Sequence, residues 1–176
     1  MTTAMRVRGA LRAACGVAVA LAFLAGCDPS GKVYEDVRLT QLKEGQATEH
    51  DVRRLFGTPH SVRDVAGGKA LVYPLGPEGA HTLLLKIGAD GRYAGREELL
   101  TRANFQRVRE GMGGDDVVAV LGPAGRSEHY RLKNETAWEY RFNDGAETRM
   151  FVVMFGADGK VVGTAVEEDP RRMGGS

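Results

Sequence analysis

Residues 111–123 read Gly-Met-Gly-Gly-Asp-Asp-Val-Val-Ala-Val-Leu-Gly-Pro, and a diverged copy of the same unit begins at Gly45. The landmarks of the two copies recur at a nearly constant distance: 66 residues from Gly45 to Gly111, 65 from Gly57 to Gly122, 67 from Tyr73 to Tyr140, and 68 from Gly88 to Gly156. Such a spacing over four landmarks indicates a tandem duplication. Two copies predict a protein of two modules rather than a solenoid.

The composition is that of an ordinary globular protein. Of 176 residues, 27% are charged and 43% are apolar, and the formal net charge is +1. A nucleic-acid-binding protein would carry a surplus of basic residues on one face. The composition therefore argues against nucleic acid as a partner.

Residues 1–26 predict a lipoprotein signal peptide. Three arginines form a basic start, and the uncharged residues 13–26 are fewer than the roughly 20 needed to span a bilayer as a helix. The stretch ends in Leu-Ala-Gly-Cys, which predicts that Cys27 becomes the acylated first residue of the mature chain. The membrane is then a partner through the acyl chains on Cys27. An ordinary secretory signal with a chance cysteine is the alternative.

Residues 27–32 are predicted to be the acylated cysteine and a polar tether. The five residues after Cys27 reach at most about 17 Å, so the first module should lie close to the bilayer. We expect a lipid-anchored protein of the cell envelope that faces the periplasm. The outer membrane is the expected location and the inner membrane is the alternative, because Asp28 resembles an inner-membrane retention signal.

The remaining chain divides into a first module at residues 33–99, a second at 100–169, and a tail at 170–176 that we expect to be disordered. Each module is predicted to contain two helices followed by an antiparallel meander, an α+β fold in two layers. The expected strands are 61–65, 70–73, 83–87, 92–97, 127–132, 136–142, 149–155 and 160–166. A module of about 60 residues buries only about 60% of its chain surface. We therefore expect the two modules to pack on each other or to share a sheet.

Alternation along the third strand of each module separates an inner face from an outer face. The outer face of the second module carries Met150, Val152 and Met154, whereas Thr82, Leu84 and Lys86 stand there in the first module and are expected to meet water. An apolar row on an outer sheet face is expected to be covered by another part of the protein or by a partner. It either packs against the first module or forms a partner-binding surface, in which methionine is favoured because it adapts its shape.

No catalytic constellation is found in the sequence. The four histidines have no metal-ligand spacing with cysteines or acids, and no nucleophile elbow or phosphate-binding loop is present. We therefore expect a protein that is not an enzyme and that uses neither metal nor cofactor. Trp138, Tyr140 and Phe142 alternate with charged residues, which favours core packing over an aromatic ligand platform.

The framework of glycines and apolar residues in the second copy resembles the SmpA/OmlA domain family. The residues that carry the resemblance are Gly111-Met112, Val117, Leu121-Gly122-Pro123, Trp138, Tyr140 and Asp158-Gly159-Lys160-Val161. The second copy follows the pattern over residues 102–168. The first copy, over 38–98, is diverged and has Leu71 where Trp138 stands.

This family includes the BamE lipoprotein of the outer-membrane β-barrel assembly machinery. The resemblance implies a non-catalytic accessory or scaffold in outer-membrane protein assembly or envelope integrity. It would bind a protein of the cell envelope, and phospholipid headgroups are a further implied ligand. A tandem of this unit is also similar to the architecture of β-lactamase inhibitory protein. That similarity implies the alternative of a tethered inhibitor or binding module for a periplasmic protein.

Overall fold

The computed structural model describes residues 36–75 and 79–170. The predicted signal peptide at 1–26, the tether at 27–32 with Cys27, and residues 171–176 of the predicted tail lie outside these ranges. Here the first half means the described residues up to 99, and the second half means those from 100 onward.

The elements follow the same order in both halves. The first half contains a 3₁₀ helix Val37–Gln41, α1 (Glu49–Phe56), β1 (Ser61–Val65), β2 (Gly68–Leu75), β3 (His81–Gly88) and β4 (Tyr93–Glu98). The second half contains α2 (Arg102–Phe105), α3 (Gly114–Leu121), β5 (Arg126–Tyr130), β6 (Glu135–Asp144), β7 (Glu147–Phe155) and β8 (Val161–Glu168).

Each half forms its own four-stranded antiparallel meander. Sheet 1 has the order β1-β2-β3-β4 and sheet 2 has the order β5-β6-β7-β8. The predicted α+β class is confirmed. No strand of one half joins the sheet of the other within the described residues, so the halves do not share a sheet.

The helical layer is smaller than the prediction of two helices per module. One full helix of eight residues, α1 or α3, lies in each half. The expected first helix is a 3₁₀ helix of five residues in the first half and a single turn, α2, in the second. Most of the apolar surface above each sheet therefore comes from one short helix and the loops around it.

Local sequence explains where α1 begins and ends. The backbone N–H of Asp51 donates to Thr48 Oγ1 (3.2 Å), and the backbone N–H of Thr48 donates to Asp51 Oδ2 (3.0 Å), which completes a capping box. Helix α1 ends at Gly57 with φ 80° and α3 ends at Gly122 with φ 79°, a conformation that residues with a Cβ rarely adopt. The sequence predicts a cap at Thr48 and an end at Gly57 for α1, and both are confirmed.

Each half has a core between the inner face of its sheet and its helices. The two sets of fully or nearly buried residues are Leu39, Leu42, Val52, Phe56, Leu71, Tyr73, Leu83, Leu85, Ile87 and Tyr93 in the first half, and Leu100, Phe105, Val108, Val117, Val120, Leu121, Tyr140, Phe142, Phe151, Val153, Phe155 and Val161 in the second. The expectation that Tyr140 and Phe142 serve as core residues is confirmed. Trp138 packs on Phe155 at the margin of the second core, with the ring centroids 4.6 Å apart.

The two halves contact each other, and the C-terminal end of α3 packs on the outer face of sheet 1. The Arg63 guanidinium donates to the carbonyl oxygens of Val118 and Ala119, both at 2.7 Å. A Cβ added at Gly122 would lie only 2.7 Å from the Thr82 methyl carbon. The expected packing of the modules is therefore present, and it uses the helical side of the second half.

This arrangement corrects the expectation for the outer face of sheet 1. Thr82 is only 1% exposed and Leu84 is half-buried, whereas Lys86 alone of the three is exposed. The face that looked polar enough to meet water is covered because the second half lies on it. Ala70 and Val72, which share that face, are completely buried.

Candidate protein-binding face

Strand pairing places the predicted row on the outer face of sheet 2. Met154 lies opposite Ala137, Val152 opposite Glu139, and Met150 opposite Arg141. Val152 is buried to 8% exposure, while Met150 and Met154 are half-buried. The three candidate residues therefore form one continuous apolar strip along β7.

Two cavities flank this strip. One of about 480 Å³ lies beside Val152 and Met154 and is lined by residues of the second half. Another of about 430 Å³ lies beside Met150, with Gly79 of the first half on its wall. The described hydrogen bonds between the halves lie elsewhere, and the lining of the cavity beside Val152 and Met154 belongs to the second half alone.

The hairpin between β5 and β6 borders the cavity of about 480 Å³. It turns at Asn134 with φ 52° and carries Leu132, whose side chain is completely exposed. Tyr130 is also exposed, on the last residue of β5, and both side chains line the cavity. Sequence reasoning missed these two residues. The available signal was an isolated leucine between Arg131 and Lys133, at the last residue of the predicted strand 127–132.

Acidic side chains border the apolar strip. Glu128 and Glu139 lie on the outer face of sheet 2, where Arg126 contacts both carboxylates, at 2.7 Å and 3.7 Å respectively. Glu167 lies opposite Met150 on the other side. The Arg126 side chain is 63% exposed, so solvent screens these ion pairs and their energy is small.

The end of the described chain closes one end of this face. After β8 the chain turns so that the Asp169 carboxylate accepts a hydrogen bond from the Arg141 guanidinium at 2.7 Å. Both side chains are at most 10% exposed. A buried charge needs a partner of this kind, because its desolvation costs several kcal/mol. Asp169 and Arg141 therefore fix the last described residues beside Met150.

The histidines occupy structural or surface positions. His81 is buried between the halves, with Nδ1 3.1 Å from Glu98 Oε2 and Nε2 2.8 Å from Asn143 Nδ2. His50, His60 and His129 are exposed. Within residues 36–75 and 79–170, no group of three His, Cys, Asp or Glu side chains is arranged to hold a metal ion. The outer face of sheet 2 thus offers apolar contact bordered by charge, a chemistry suited to binding another protein.

The part of the chain that the structure describes contains no helix long and apolar enough to cross a membrane.

Comparisons with known proteins give only distant similarities. No protein-family model matches the chain, and no curated protein matches it in sequence. Among solved structures, the chain is similar to a protein described as a putative osmotically inducible lipoprotein OsmE, with 24% identity over 35% of this chain and 70% of that one, at a TM-score of 0.32. A DUF4309 family protein (YjgB) from Bacillus subtilis subsp. subtilis str. 168 is 15% identical over 73% of this chain and 82% of its own, at a TM-score of 0.29. A protein described as a putative beta-lactamase inhibitor protein from Streptococcus mutans is 11% identical over 76% of this chain and 97% of its own, at a TM-score of 0.32. The functional conclusion therefore depends on the outer face of sheet 2 itself.

Proposed function

We propose that this protein is a lipid-anchored, periplasm-facing lipoprotein that acts as a non-catalytic accessory or scaffold through protein binding. Its two halves are tandem SmpA/OmlA-like modules, and its anchor is the acylated Cys27 that follows a signal peptide. Its process is outer-membrane β-barrel assembly or envelope integrity. The expected partner is a protein of the cell envelope, with phospholipid headgroups as a second ligand.

The observation that carries the proposal is the partly buried apolar strip, flanked by two open cavities, on the outer face of sheet 2. Met150 and Met154 are half-buried beside open cavities, and the fully exposed Leu132 lines the same cavity as Met154. An apolar strip bordered by charged side chains has the composition of a protein interface, with an apolar centre and a polar rim. Methionine suits such a surface because its unbranched side chain adapts to the partner.

The alternative function is a tethered inhibitor or binding module for a periplasmic enzyme. The same strip serves both functions, so the partner decides between them. In the accessory function the partner belongs to the machinery that assembles β-barrels, whereas in the inhibitor function it is one soluble enzyme.

Crosslinking in living cells tests both. A photoreactive amino acid placed at Met150, Val152 or Met154 of the full chain should yield an adduct with an envelope protein on illumination. The same amino acid at the exposed Val62, on β1 of the first half, serves as a matched control. Adducts with assembly components support the accessory function, and one soluble enzyme supports the inhibitor function. Adducts equal to those from Val62 would refute both.

A further inference from the structure

The contact between the two halves shows what the outer face of one of these sheets can bind. On sheet 1 that face receives the C-terminal end of an eight-residue helix, α3, at Gly122. Four residues make the seat: the Arg63 guanidinium binds the helix carbonyls, and Val72, Thr82 and Leu99 surround the glycine. Gly122 is consequently buried.

The corresponding positions on sheet 2 follow from strand pairing. Arg63 pairs with Ala70 as Glu128 pairs with Ala137, and Val72 pairs with Leu84 as Glu139 pairs with Val152. Met150 corresponds to Thr82 on the third strand. Glu167 corresponds to Leu99, because Leu99 donates its backbone N–H to the Thr82 carbonyl and Glu167 pairs with Met150. The residues that correspond to the seat are therefore Glu128, Glu139, Met150 and Glu167. Three of its four positions carry a carboxylate.

The first half offers a helix end of the same shape, which carries two arginines where α3 carries uncharged residues. Helix α1 has eight residues, as α3 has, and ends at Gly57 in nearly the same conformation as Gly122. Gly57 is exposed, and a Cβ added there would meet nothing within 4 Å. Arg53 and Arg54 occupy the positions of Val118 and Ala119 on α3.

We propose that the outer face of sheet 2 binds the C-terminal end of α1 from a second copy of this chain, so that copies associate head to tail. This inference rests on the proposed function, because it names a partner for the same protein-binding face. Inside one copy, an arginine on the sheet binds bare helix carbonyls. Between copies, the arginines are on the helix and three carboxylates are on the sheet, so the charges are complementary. Arg126 already contacts two of these carboxylates, Glu128 and Glu139, but it is 63% exposed, and each carboxylate has two oxygens that can accept from an incoming arginine.

The side chains have the capacity to make this contact. Arg53 and Arg54 already bind Glu49 and Asp51 on their own helix, at 2.8 Å and 3.0 Å, but a guanidinium has five N–H donors. Arg54 keeps 64% of its side chain exposed. Because the two contacting surfaces differ, the association is heterologous and extends into a chain of copies or closes into a ring. The last copy of an open chain keeps its sheet 2 face available for a different protein.

Charge reversal with rescue tests this proposal. The full chain, purified in detergent micelles, is followed by analytical ultracentrifugation over a range of protein concentrations. We expect its mass to rise with concentration, and we expect either Arg54→Glu or Glu128→Arg to weaken association by about tenfold. The double variant should restore association, because every copy then carries a reversed but complementary pair. Glu110→Arg, at an exposed position outside both surfaces, is the matched control and should associate like the native chain.

The outcomes separate this proposal from the proposed function. A monomer at every concentration, or association that Glu128→Arg leaves unchanged, overturns head-to-tail binding. If crosslinks from Met154 nevertheless capture a different envelope protein, the protein-binding function stands without self-association. Crosslinked dimers of the chain that disappear in Arg54→Glu support the proposal. Absence of both association and crosslinks overturns both. Unchanged Trp138 fluorescence shows that each variant is folded.

Discussion

Replacing Gly122 by alanine should destabilise the protein more than the same change at Gly57. Both glycines end an eight-residue helix with φ near 80° and ψ near the extended value, so the backbone strain of an alanine is about 1–3 kcal/mol at either site. At Gly57 the new methyl group enters open space. At Gly122 it lies 2.7 Å from the methyl carbon of Thr82, a β-branched side chain that is 1% exposed and has no room to move.

Overpacking of this kind costs about 1–3 kcal/mol beyond the strain. We therefore expect Gly57→Ala to lower the free energy of unfolding by about 1–3 kcal/mol and Gly122→Ala to lower it by about 2–6 kcal/mol. Urea unfolding followed by Trp138 fluorescence measures both, provided that the m-values agree. Thr82→Ser removes the opposing methyl group and should recover part of the loss in the Gly122→Ala background.

The double-mutant cycle isolates the contact between the halves from the backbone strain. Equal destabilisation by the two alanines would refute the packing of α3 on sheet 1 described above. The packing would also be refuted if Thr82→Ser lowered the free energy of unfolding by the same amount with glycine and with alanine at position 122. Either result would mean that α3 does not press on sheet 1 at this point.

Three further predictions concern charged side chains. Arg63→Met removes both hydrogen bonds to the carbonyls at the end of α3 and should cost about 1.5–3 kcal/mol of unfolding free energy in urea, with Arg63→Lys recovering part of it. Arg141→Met leaves the Asp169 carboxylate buried and should cost about 3–5 kcal/mol by the same measurement, whereas adding Asp169→Leu should bring stability back toward the native value. Hydrogen bonding to Arg102 holds the pKa of Asp144 below its ordinary value. This stabilisation is complete above the unfolded pKa of about 3.9 and disappears as the pH falls through the folded pKa. Asp144→Asn should therefore flatten the plot of urea midpoint against pH below about pH 4. An unchanged plot would show that Arg102 does not favour the charged carboxylate.

Local structure was largely predictable from the sequence. Helix α1 follows from Thr48, Asp51 and the apolar positions that end at Gly57, because capping and helical periodicity act over a few residues. The meander order follows from Asp-Gly turns and from alternation along each strand. The prediction of a first helix in each half was wrong. Residues 37–41 form only a short 3₁₀ helix whose start is capped by Asp36, and α2 is a single turn of four residues.

The covering of each sheet face was not predictable in the same way. Alternation shows which residues share a face, but it does not show what lies on that face. Thr82 and Lys86 look solvated, and the burial of Thr82 depends on Gly122, 40 positions along the chain. Met150 and Met154 look like core residues, yet they border open cavities. Asp169 had no local signal, because its partner Arg141 is brought to it by strand pairing.

The burial of Thr82 under Gly122 also has a consequence for biosynthesis. Synthesis runs from the N-terminus, so every residue of sheet 1 is made before α3. At about 5–20 residues per second, the interval between Leu99 and Gly122 lasts on the order of seconds. If sheet 1 folds during that time, Ala70, Val72 and the methyl group of Thr82 are exposed to solvent until α3 covers them. A chaperone that shields nascent chains would bind this surface of the first half. The chaperone would dissociate when the C-terminal end of α3 packs on the same surface.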